Sequence, residues 1–207
     1  MHKSNRTINN KNRRALDSYL GYHRSWWNYY HNYKNIVDDI VISITERDIP
    51  IDTVSLPLMF LIRHSLELGL KANILSFQKL NMEVMEIDLR GAKSHGLEYL
   101  STILIDHLNC IKNKYKINLE TLAQMDNYLA KFIPLIEKLH KLDKASFSFR
   151  YPVDTKGNSN ITWDVRENIS DIINLFEEIQ PFLLYTEAVL IDEGVIELAI
   201  IEPKKMI

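Results

Sequence analysis

Apolar residues recur at three- and four-residue intervals in five stretches of the chain, while β-branched alternation is rare, so the pattern predicts a helical protein. The first helix is expected from about Arg14 to Thr45, ending before the turn "ERDIPID". A second starts near Ser55–Pro57, where proline is tolerated in the first turn, and runs to about Lys79. After the linker "NMEVMEIDLRGAK", Ser94 is a candidate N-cap for a third helix reaching about Lys114. Asn118 can cap a fourth, "LETLAQMDNYLAKFIPLIEKLHKLD", with Pro134 as a kink point. "KASFSFRYPVDTKGNSNITWD" breaks the helical period, alternates like a short strand and turns at "TKGNSN". A last helix covers about Arg166 to Asp192, bent at Pro181 and stopped at Gly194. The tail "VIELAII" has the pattern of a short strand. The expected fold is all-α, a bundle of about five main helices with a small irregular hairpin insert.

The second helix carries the most informative pattern. "FLIRHSLELGLKANIL" is apolar nearly all round, yet it holds Arg63, His64, Glu67 and Lys71. At about 100° per residue these four fall within about 100° of the helical wheel, in one narrow stripe. Phe60 and Ile74 lie on the same side. Opposite them Ser65, Gly69 and Ala72 are small, which lets another helix approach closely. Two readings stay open at this point. The stripe can be a solvated face with Arg63, Glu67 and Lys71 as i,i+4 pairs. It can instead be a buried network, which then needs polar partners from elsewhere because an unpaired buried charge is costly. "EKLHKLD" offers His140 and Asp143, "SFSFRYPVD" offers Arg150, Tyr151 and Asp154, and "AKSHGLEYL" offers His95.

Composition adds bounds. With 207 residues, 46% hydrophobic and 25% charged, the chain reads as one ordinary globular domain over residues 14–207. Net charge is -2, but residues 1–34 carry seven Lys and Arg against the single acid Asp17. Residues 1–13 therefore read as a basic, disordered arm ahead of an acidic body, suited to nucleic acid or to an acidic surface. Cys110 is the only cysteine, which excludes a disulfide framework or a cysteine-rich zinc site within one chain. The polar N-terminus has no apolar core of a secretory signal, and no apolar run is long enough to span a bilayer. A cytoplasmic location is expected.

Taken in order, "FLIRHSLELGLKANIL", "SHGLEYL" and "LHKLDKASFSFRYPVD" resemble the helical HEPN superfamily, in a bacterial branch with R-H-x-L-E-L, H-x-L and F-R-Y-P elements. The resemblance covers roughly residues 55–190. It implies a small helical bundle that often dimerises and that binds RNA or nucleotides. In many members it implies a metal-independent endoribonuclease of phage-defence or toxin–antitoxin systems, with an antitoxin or defence protein as a possible partner. The family signature, Arg then four to six residues then His, is matched by Arg24–His31 and Arg90–His95. Shuffling these residues gives about one such match, and neither falls in a late helix, so the polar constellation is assigned elsewhere. The catalytic candidates are Arg63, His64, Glu67, His140 and Arg150. A histidine, His64 or His140, would move protons and Arg63 or Arg150 would hold the phosphate. Arg13, Arg14, Arg24, His95 and Tyr151 are the RNA-binding candidates.

Other chemistry is weaker. His64–Glu67 and His140–Asp143 are i,i+3 pairs, but di-iron bundles use the reverse order with further glutamates, so no metal or other cofactor is expected. The aromatic run "YLGYHRSWWNYYHNY" suits core or homodimer contact better than base stacking. The alternative to an RNA-directed protein is a non-enzymatic helical interaction module whose polar network is structural.

Overall fold

The computed structural model describes residues 25–79, 91–143, 146–162 and 165–196. Among these are five α-helices: α1 (Trp26–Arg47), α2 (Ser55–Gln78), α3 (Leu97–Lys114), α4 (Leu119–Leu142) and α5 (Ile169–Asp192). Short 3-10 turns at Ile51–Thr53 and Ala92–His95 lead into α2 and α3. The protein is an all-helical bundle. The basic arm, the expected helix start at Arg14 and most of the "VIELAII" tail lie outside the described residues.

Local chemistry sets the helix ends. The expected continuous helix from Arg14 to Thr45 is interrupted at Ser25, which is extended at ψ 154°; its Oγ accepts from the Asn28 N–H at 3.0 Å, so α1 starts only at Trp26. The helix stops where Asp48 turns left-handed at φ 52°. Asn118 caps α4 as expected, its Oδ1 accepting from the Glu120 N–H at 2.7 Å. Asn168 does the same for α5 through Ser170, so that helix begins three residues later than the pattern of Arg166 suggested. Ser94 does not cap α3. It sits inside the 3-10 turn with its hydroxyl donating to the Gly91 carbonyl at 2.8 Å, and Gly96 occupies the cap position. Pro134 and Pro181 lie within helices that continue past them.

α2 is the axis of the bundle, with α1, α3 and α5 packed against it. Leu58, Ile62, Leu66, Leu70, Ile74 and Phe77 are all fully buried on it. Its small-residue side works as the sequence suggested. A Cβ added to Gly69 would lie 3.1 Å from the Tyr30 ring of α1 and 3.4 Å from Leu183 of α5. Asn73 ties the same junction by donating to the Gly69 and Leu183 carbonyls at 3.0 and 2.9 Å. The insert after α4 is a series of turns rather than a strand pair, with one antiparallel bridge between Val153 and Ser159. Asp154 Oδ1 accepts from the Lys156 and Asn158 N–H groups, which closes the tip locally without a second strand.

Candidate functional site

The polar stripe of α2 is buried. Arg63 has no exposed surface, Glu67 is 2% exposed and Lys71 is 3% exposed, so the solvated-face reading fails. Two carboxylates balance these two cations. Glu67 Oε2 lies 3.3 Å from Arg63 Nη1, and Lys71 Nζ donates to Glu67 Oε1 at 2.7 Å. Asp143, just past the end of α4 and 1% exposed, supplies the second acid, with Oδ2 3.4 Å from Arg63 Nε. Arg63 Nη2 donates to the His95 carbonyl at 2.6 Å, and Lys71 also lies over the Trp26 ring at 5.6 Å.

The electrostatics follow from this packing. Burial pushes the Arg63 guanidinium below its ordinary value, opposed by the charges of Asp143 and Glu67. Burial alone would raise Glu67, but the hydrogen bond and charge of Lys71, with His95, outweigh it and hold the carboxyl below its usual value. An ionised Glu67 is therefore the acceptor for His95 Nδ1, 2.8 Å away. That assigns the Nδ1 proton to this bond and leaves Nε2 as the other ring nitrogen, on a side chain that is 56% exposed. His95 is the one member of the network open to solvent among the residues described.

Arg63, Glu67 and His95 come together. His64 sits beside them, stacked on Phe60 at 5.6 Å and edge-on to Tyr33 at 4.5 Å, and burial lowers its pKa. His140 does not join. Its Nε2 pairs with Glu98 of α3 at 3.0 Å. The shared helical face expected for His140 and Asp143 is lost because α4 ends at Leu142 and Asp143 leaves helical geometry, at φ -147° and ψ 89°. Arg150 lies at the outer edge. Its guanidinium carbon stands 5.6, 5.2 and 5.5 Å from the ring centres of Phe60, Phe147 and Tyr151, and its Nε donates to the Ser146 carbonyl at 2.6 Å. Arg13, Arg14 and Arg24 lie outside the described residues.

Asp143, which the sequence offered as a partner for a buried stripe but which was not among the catalytic candidates, is the second acid of the site. Besides facing Arg63, its Oδ1 accepts from the Phe147 and Ser148 N–H groups at 2.9 and 3.2 Å. An aspartate directly after a helix and four residues before a turn was the available signal. The turn it holds borders a cleft of about 730 Å³ lined by Lys141, Phe147, Ser148, Tyr151, Asp154 and Asn160, among others. Phe147 and Tyr151 are half exposed there. Among the described residues no group of three or more His, Cys, Asp and Glu is arranged to hold a metal ion. No described helix is long and apolar enough to cross a membrane. The chain matches no family model, no curated protein and no solved structure at a significant level.

Proposed function

We propose that the protein is a HEPN-like RNA-binding protein whose ligand surface is the Phe147–Tyr151 turn and the cleft beside it. One observation carries this reading. Arg150 is exposed over three aromatic rings, and among the described residues no carboxylate lies within ion-pairing distance of it. A cation without a counter-charge, next to exposed rings, suits an anionic chain of stacking bases. Cleavage through the 2′-hydroxyl is the activity this surface would support, with His95 as the proton-handling group oriented by Glu67. Arg63 has no exposed atom to offer a phosphate, so its role in this reading is to support the site. A bacterial defence or toxin–antitoxin setting, a cytoplasmic location and a homodimer contact through Trp26 and Tyr29 extend the same proposal.

The test is binding and cleavage of labelled single-stranded RNA by the full chain, with chelator present, at two salt concentrations. Affinity that falls steeply with salt and is lost in Arg150→Ala supports the reading. Salt-independent or absent binding removes it. The completely buried, charge-balanced Arg63 favours a second reading, a non-enzymatic interaction module, and RNA binding without any cleavage would leave that module as an RNA-binding one. Light scattering tests the dimer, which a monomer at tens of micromolar would exclude.

A further inference from the structure

We propose that Arg63 and Asp143 are positioning residues: their buried pair is a strut joining the His95 segment to the Phe147–Tyr151 turn. The proposal rests on the RNA reading for its purpose, whereas its structural half stands alone.

One guanidinium reaches both segments. Nη2 of Arg63 holds the main-chain carbonyl of His95, and Nε faces both the side chain and the carbonyl of Asp143, the latter at 3.5 Å. Asp143 then passes the constraint outward through the N–H groups of Phe147 and Ser148. A planar guanidinium with five donors in a fixed fork suits this bridging, and a lysine would not reproduce it. Glu67 reaches the same His95 from the other side, through the imidazole. The His95 segment is thus held at its carbonyl by Arg63 and at its ring by Glu67.

A second observation indicates that the turn needs holding. Ser146 adopts φ 65°, a left-handed conformation that is unfavourable for a residue with a Cβ and persists where surrounding contacts over-determine it. The two Asp143 bonds fall on the next two residues, and the Ser146 carbonyl is the acceptor for Arg150 Nε. The rotation of the Ser146 peptide therefore fixes where Arg150 stands over its three rings. Further along the described insert, Phe149 is buried in the core and Asn160 Nδ2 donates to the Tyr151 carbonyl at 2.8 Å, so the strut fixes the start of the turn while these contacts hold its far end. The buried charges of α2 are in this account the anchor of an exposed binding surface.

The experiment compares Asp143→Ala with Glu67→Gln in the full-length protein, measuring hydrogen exchange and affinity for a single-stranded RNA. Glu67→Gln perturbs the same network without touching the turn. In Asp143→Ala the Phe147 and Ser148 amides should exchange at least about tenfold faster relative to α2 core amides, because each loses a charged acceptor. Glu67→Gln should leave that ratio unchanged. Equal ratios in the two variants would overturn the strut. If Asp143→Ala does not fold, Asp143→Asn keeps an acceptor for the turn but removes the attraction for Arg63. It should still accelerate the turn amides, and unchanged protection there would equally overturn the proposal. RNA affinity should fall with turn protection in the same variants. Loss of protection with no RNA binding by the parent protein would remove the RNA reading and leave the strut intact.

Discussion

Arg63 and Arg150 lie close enough for the charge of one to disfavour that of the other, yet their surroundings are opposite. Arg63 is sealed, and each direction of its fork meets a carboxylate or a carbonyl. Arg150 is exposed, touches three rings and one carbonyl, and pairs with no acid among the described residues. Inside the bundle a charge is tolerated only with a matched counter-charge, because desolvation otherwise dominates. At the surface water meets that need, so an arginine stacked on aromatic rings there is available to a ligand. In the proposed reading the contrast separates a supporting arginine from a ligand-contacting one, although both stood together in the sequence-derived site.

Glu67→Ala should have the largest effect on the sealed charges. It leaves Arg63 and Lys71 short of a shared carboxylate in a sealed interior, and about 3–5 kcal/mol of stability should be lost. Urea denaturation measures this, and a loss below about 1 kcal/mol would mean that the stripe is effectively solvated. Next comes Gly69→Ala, which tests packing rather than charge on the same helix. The new methyl meets the Tyr30 ring at 3.1 Å and should cost about 1–3 kcal/mol, read as a lower urea midpoint. A neutral or stabilising result would show that Tyr30 gives way freely.

Arg150→Ala and His140→Ala should each change stability by no more than about 1 kcal/mol, since Arg150 is exposed and the half-buried His140 pairs with a Glu98 side chain that is 71% exposed. They should differ in RNA affinity, which Arg150→Ala abolishes and His140→Ala leaves alone. Parallel binding isotherms decide it, and equal losses would merge the two sites that the structure separates.

The smallest effect is on pH dependence. Burial lowers His64, with Lys71, Arg63 and Arg150 adding to that and Glu67 opposing it. The unfolded chain takes up this proton first as pH falls through about 6.5. Stability from neutral, buried His64 is therefore full above that value and declines as pH falls toward its lower folded value. His107, lowered chiefly by burial, acts in the same sense. Glu67 adds its own loss at still lower pH, from the ordinary carboxylate range down toward its depressed folded value. Urea midpoints from pH 7.5 to 5 should fall less steeply in His64→Gln, and an unchanged slope would contradict the burial of that ring.

Helix placement was legible because it depends on local periodicity and caps. α2 and α4 were readable nearly to the residue, and the small residues around Gly69 announced the close approach of α1 and α5. The stripe was visible as a pattern, but its burial was not, since i,i+4 spacing is the same on a wet face and in a core. Burial was decided by Asp143, which arrives from another helix end. Helical spacing puts Asp143 on one face with His140, but that spacing stops applying at Leu142, where α4 ends. Ser94 failed for a related reason: a 3-10 turn intervenes before α3 and takes its hydroxyl for itself.

The distance between Arg63 and Asp143 along the chain also has a consequence for synthesis. Eighty residues separate them, and α3 and all of α4 lie in between. At about 5–20 residues per second the ribosome needs about 4–16 s to make that interval. Throughout it, α1, α2 and α3 can form while Arg63 lacks its second acid, so the nascent bundle cannot close over that charge without cost. The carboxylate that completes the charge balance around Arg63 comes with the end of α4. Protease sensitivity of ribosome-stalled chains should accordingly drop at the length that brings Asp143 clear of the exit tunnel, rather than at the length that exposes α3.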